Sequence, residues 1–166
     1  SDGCWGVAER LITGLAPAAR ERVNTSFPFQ TELGDDVTVI EHRRADCNFQ
    51  TAYAFDLAAR YMDDERYGAV VERILEFCLT RSNLLCRDEG DVHHGLWDWS
   101  QPVKRPTFYT DDNAWVITLL FMLGRARPAL RELGVASARK LLSLIMPYID
   151  FLDTHGIAQY PDTGKI

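Results

Sequence analysis

Asp111, Asp112 and Asn113, two carboxylates and an amide, stand between Tyr109-Thr110 and Trp115 where a long apolar helical pattern begins. Paired acids can protonate a leaving oxygen and supply a nucleophile or activate water, the chemistry that cleaves a glycosidic bond. A helix N-terminus favours the ionised carboxylate, which suits a nucleophile or base, and an acid placed there needs burial to keep its proton. Neighbouring positions on a helix lie about 100° apart, so the pair converges only if Asp111 is still in the loop while Asp112 enters the first turn. Asp98 and Asp46 therefore compete for the role of second acid. The structural alternative makes one aspartate the N-cap, with Asn113 or Thr110 assisting.

The same device occurs earlier, as Arg44-Ala45-Asp46-Cys47-Asn48, at a constant offset of 65 positions (46 to 111, 48 to 113). Between the two lies Gly95-Leu96-Trp97-Asp98-Trp99-Ser100. In an extended segment both indoles would face one way, and indoles are platforms for the apolar faces of sugar rings; alternatively they pin the loop to the helices. Arg43-Arg44 can bind an anionic group or pair with the nearby acids. His93-His94 and Cys86 lack the spacing of a zinc site, so no metal is expected. No phosphate loop, Gly-x-Ser-x-Gly elbow or Cys-His nucleophile pattern is present, and no cofactor is expected.

Helical hairpins must position these residues. Trp5, Val7, Leu11, Ile12 and Leu15 suit a short amphipathic helix ending near Gly14, and a loose connection to Arg44 follows, with one short strand over 37–40. From Asp46 the apolar spacing of Phe49, Ala52, Tyr53, Leu57 and Tyr61 predicts a long helix. Met62-Asp63-Asp64-Glu65 supplies a turn and an N-cap for a second helix through Val70, Val71, Ile74, Leu75 and Cys78. A long functional loop over 83–106 leads to a third helix from Asp111 or Asp112 to Gly124. A fourth helix covers 135–153, kinked or shortened by Pro147. The fold class expected is all-α, with repeated helical hairpins and long loops.

With 166 residues, 46% of them hydrophobic, the chain is expected to form a single domain over 1–166. Its formal charge of -6 and only three lysines (Lys104, Lys140 and Lys165) argue against nucleic acid as a partner and leave neutral or cationic small ligands. No apolar run reaches the ~18 residues of a membrane span, and Ser1-Asp2-Gly3-Cys4 has no features of a signal peptide, so a soluble, cytoplasmic chain without a membrane partner is expected. Cys4, Cys47, Cys78 and Cys86 form no CxxC pair and are expected as thiols.

At the segments around Asp46, Trp97 and Asp112 the chain resembles six-hairpin glycoside hydrolases of the (α/α)6-toroid class, and is similar in style to the α-1,6-mannanase family. The resemblance implies Asp111 and Asp112 as the catalytic pair, with Trp97, Trp99, Asp98, Arg44, Asp46 and Asn113 lining a cleft for a carbohydrate ligand. A closed toroid uses six hairpins, whereas this sequence supplies two clear ones and a partial one. The implied chain is thus part of an (α/α) toroid whose apolar edges meet a missing segment or another copy in a homo-oligomer. Two other functions fit these residues. One is a non-catalytic helical scaffold or sugar-binding module; the other is a sugar isomerase or unsaturated-uronide hydrolase using His42, His93 or His94 for proton transfer.

Overall fold

The computed structural model describes residues 3–8, 10–26, 30–32, 37–101 and 106–148. Two helical hairpins form its centre. The first joins α2 (Ala45–Met62) to α3 (Glu65–Glu76), and the second joins α4 (Thr110–Leu123) to α5 (Pro128–Ile145). Both turns follow from local chemistry. Asp63 ends α2 in the left-handed conformation, and the Asp64 side chain accepts from the Arg66 amide to cap α3. Gly124 closes α4, where an added Cβ would lie 2.6 Å from the Leu120 carbonyl and 2.8 Å from the Arg131 amide. Pro128 opens α5 at its first turn, where a missing amide hydrogen costs nothing.

The core lies between the hairpins. Phe49 and Ala52 of α2, Val71, Ile74 and Leu75 of α3, and Val116, Leu119, Leu120 and Leu123 of α4 are buried together. Burying a side chain as large as Phe49 contributes roughly 2 to 3 kcal/mol. Trp97 reaches this core from the long loop, edge-on to Phe49 with ring centroids 4.9 Å apart. It therefore pins the loop, as one of the two sequence readings holds. The loop itself is ordered by the bridge between Leu85 and Trp97 and by β5 (Ser100–Gln101), which pairs antiparallel with β4 (Arg43–Arg44).

The N-terminal third departs from expectation. Residues 10–13 form β1 (Arg10–Thr13) rather than the end of an amphipathic helix, because they pair antiparallel with β3 (Val37–Ile40). The expected strand over 37–40 is present as that β3, the centre of a three-stranded sheet whose other edge is β2 (Gln30–Glu32). The connection is also not loose throughout, since α1 spans Pro17–Ser26. None of its residues is buried, so it has no apolar stripe by which the sequence could reveal it.

At the other end α5 begins at Pro128, seven residues earlier than the sequence pattern suggests, and ends at Ile145 before a 3-10 turn over Met146–Tyr148. Pro147 thus stops the α-helix, and the expected residues 149–153 lie outside the described part. No helix among the described residues is long and apolar enough to cross a membrane. The described fold is mostly helical, with two small sheets.

Candidate functional site

Arg44 is the residue around which the site is built. It sits in β4 directly opposite Ser100, with extended backbone (φ -85°, ψ 145°), and α2 starts at the next residue. Tyr109 precedes α4 with almost the same geometry (φ -84°, ψ 140°). Each helix therefore leaves an extended residue and carries its acids in the first turn: Asp46 in α2, Asp111 and Asp112 in α4. Neither N-cap position holds an aspartate, so the capping alternative does not describe these carboxylates. The third helix begins one residue earlier than Asp111, so both acids lie in its first turn, Asp111 exposed and Asp112 buried.

The amides repeat the correspondence in hydrogen bonds. Asn48 donates to the Arg44 carbonyl (2.8 Å) and the Val7 carbonyl (3.3 Å) and accepts from the Val7 amide (2.7 Å). Asn113 donates to the Tyr109 carbonyl (2.9 Å) and the Trp97 carbonyl (2.9 Å) and accepts from the Trp97 amide (2.8 Å). Each fully buried amide thus ties the residue before its helix to a passing loop. Asn113 is a clamp rather than a ligand-facing group. The equivalence of Val7 with Trp97 could not be read from sequence, because the two loops share no residue pattern around the bonded position.

Arg44 donates to Asp46 Oδ2 at 2.9 Å and to Asp112 Oδ1 at 2.6 Å, from the same nitrogen. Two carboxylates on one donor cannot stand further apart than two hydrogen-bond lengths. Burial works against the Arg44 charge, but the hydrogen bond to Asp112 and the fields of Asp46 and Asp112 outweigh it and push its pKa up. For Asp112 the balance goes the other way. Burial raises its pKa, the Arg44 hydrogen bond opposes that, and the fields of Asp46 and Asp111 add to the rise. Asp112 is a carboxyl with an enhanced hold on its proton.

Aromatic rings border this cluster. Arg44 lies 5.8 Å from the Trp99 ring centroid, and Trp99 meets His42 (5.0 Å) and Tyr109 (5.9 Å) edge-on. The two tryptophans of the long loop do not share a role: Trp97 is 1% exposed in the core, while Trp99 stays half-buried at the rim. Their expected common face is therefore not formed. His42, which is buried, and Tyr109 thus join the cluster through Trp99.

Asp98 is separate from the Arg44 cluster. It is buried, its Oδ1 accepts from the Thr107 amide at 2.8 Å, and its field is felt at Cys86. Burial raises its pKa against the pull of the Thr107, Ser100 and Trp99 amides. His93 is stacked on Phe108 at 4.3 Å and hydrogen-bonded to Asp91 within the loop. Cys4, Cys47, Cys78 and Cys86 form no disulfide, and burial pushes the pKa of Cys78 up to about 12. Among the described residues no group of His, Cys, Asp and Glu could hold a metal ion.

No protein-family model, curated protein or solved structure matches the chain. What it can do chemically rests on its own geometry. A buried carboxyl with a raised pKa (Asp112), an exposed carboxylate beside it (Asp111) and a rim of aromatic rings gather where two helices begin.

Proposed function

We propose that the chain is a carbohydrate-active domain that hydrolyses glycosidic bonds, and that its two hairpins are part of an (α/α) toroid. The observation that carries this reading is the placement of Asp112, buried and sharing one Arg44 nitrogen with Asp46, next to the exposed Asp111. Asp112 is the proton donor to the leaving oxygen. Asp111, about 100° round the same first turn and exposed, approaches from the solvent side as the nucleophile or the base that activates water. Arg44 and Asp46 are positioning residues that set the proton affinity of Asp112, and Trp99 and Tyr109 border the ligand.

The charge of the site speaks to its substrate. Asp46 and Asp112 share a single guanidinium, and Asp111 adds a further carboxylate in the same helical turn as Asp112. A uronic acid would bring a further negative charge into this field, so a neutral or cationic sugar fits better than an unsaturated uronide. The non-catalytic alternative has one observation in its favour: Arg44 would serve equally as a structural clip between α2 and α4.

The deciding experiment uses Asp111→Asn and Asp112→Asn with linear neutral oligosaccharides, beginning with α-1,6-linked mannotetraose. Each variant is expected to lose ~10²- to 10⁴-fold in turnover while keeping its melting temperature. The amide oxygen introduced by Asp112→Asn can still accept from Arg44, so the fold is not at stake. Unchanged turnover in both variants would end the hydrolytic assignment.

A further inference from the structure

Of the two loop tryptophans suggested by sequence, Trp97 is buried, and Trp99 is half-buried with Arg44 by its ring and His42 and Tyr109 edge-on to it. Trp115, one turn beyond Asp111 on α4, is 54% exposed. Residues four apart on a helix share a face, with their Cβ atoms about 6 Å apart. Asp111, Ala114, Trp115 and Thr118 together line a shallow groove of about 340 Å³.

We propose that this groove is a sugar subsite, in which Trp115 is the platform for a neutral sugar ring and the Asp111 carboxylate accepts from its hydroxyls. Three features agree on this occupant. The indole offers an apolar face, Ala114 leaves room beside it, and Asp111 with Thr118 supplies polar atoms at the edges of the groove. A ring carries the complementary parts, with C–H groups on one face and hydroxyls around its rim. An apolar helix or acyl chain would leave the Asp111 carboxylate facing it without a donor.

The subsite rests on the carbohydrate reading above and extends it. Because Asp111 belongs both to this groove and to the first turn of α4, a ring on Trp115 lies beside the acid assigned as nucleophile or base. Trp115 then fixes which ring of the chain meets the acids. It acts through the substrate's position and takes no part in the chemistry.

Binding separates this proposal from the hydrolytic one. Calorimetric titration of the Asp112→Asn protein with α-1,6-mannotetraose, cellotetraose and xylotetraose gives a reference affinity without turnover. Adding Trp115→Ala is expected to weaken binding of the preferred tetrasaccharide at least ~10-fold, while Trp115→Phe restores most of it. Solution mass and melting temperature are measured for each variant. The proposal is overturned if no tetrasaccharide binds, if the alanine variant binds as tightly as the reference, or if the substitution changes only the mass, which would make this face a protein interface. Should Trp115 govern binding while the unaltered protein turns over none of the tetrasaccharides, the subsite stands and hydrolysis falls.

Discussion

Asp112 holds its proton further up the pH scale than an exposed carboxyl because burial and the fields of Asp46 and Asp111 together exceed the hydrogen bond from Arg44. A proton donor works only below its own pKa, so turnover should fall as pH rises through that raised value. Asp46→Asn removes one of the two negative fields and keeps an oxygen to accept from Arg44. The pKa of Asp112 should therefore drop, and the alkaline limb of the rate profile should move to lower pH. An unmoved limb, measured on a substrate with a good leaving group and one with a poor one, would show that Asp112 is not the group being titrated. The types of these residues were legible in the sequence, since acids before a helix declare themselves. The bond between Arg44 and Asp112 was not, because it joins positions 68 apart through a strand pairing that no local pattern encodes.

At the scale of elements, what was legible depended on periodicity. The helices α2, α3 and α4 carry continuous apolar stripes, so their existence and the hairpin turn at Asp63-Asp64 could be read directly. Residues 10–13 could not, because a four-residue strand gains its identity from β3, some thirty positions away, and Trp5, Val7 and Leu11 also satisfy helical spacing. The repeated Asp-x-Asn was visible, but its function as a clamp appears only once Val7 and Trp97 are seen in equivalent bonds. Replacing either amide by alanine leaves a buried loop amide and carbonyls without their partners. Asn48→Ala and Asn113→Ala are each expected to cost roughly 2 to 3 kcal/mol in urea denaturation. The Asn113 variant should also loosen Trp97 and so change near-ultraviolet circular dichroism, whereas the Asn48 variant should leave that signal near normal. Equal optical changes in both would argue against separate loop clamps.

Across the whole molecule the two hairpins are joined by ion pairs at both ends of the inner helices. At the mouth, Arg44 connects α2 to Asp112 of α4. At the far end, Arg127 at the start of α5 reaches Asp56 of α2 (3.0 Å) and Glu72 of α3 (2.8 Å). Ten residues of helix separate Asp46 from Asp56, roughly 15 Å. The ends differ in burial: the Asp46 and Asp112 side chains are 8% and 10% exposed, while Glu72 is 65% exposed. Removing the guanidinium at the mouth strands two carboxylates side by side, so Arg44→Met should cost about 3 kcal/mol at neutral pH. Arg127→Met leaves Glu72 in water and Asp56 still paired with Arg60 at 2.8 Å, and should cost about 1 kcal/mol. Because the clips share no partner and lie far apart, the double variant should lose the sum to within ~0.5 kcal/mol. The penalty at the mouth should shrink in acid, as Asp112 takes up its proton, first of the two sites because its pKa is already raised. If the double variant instead loses much less than the sum, the hairpins are separating after the first clip fails, and their buried apolar contact is weaker than the shared core of Phe49, Leu75, Leu119 and Leu123 implies.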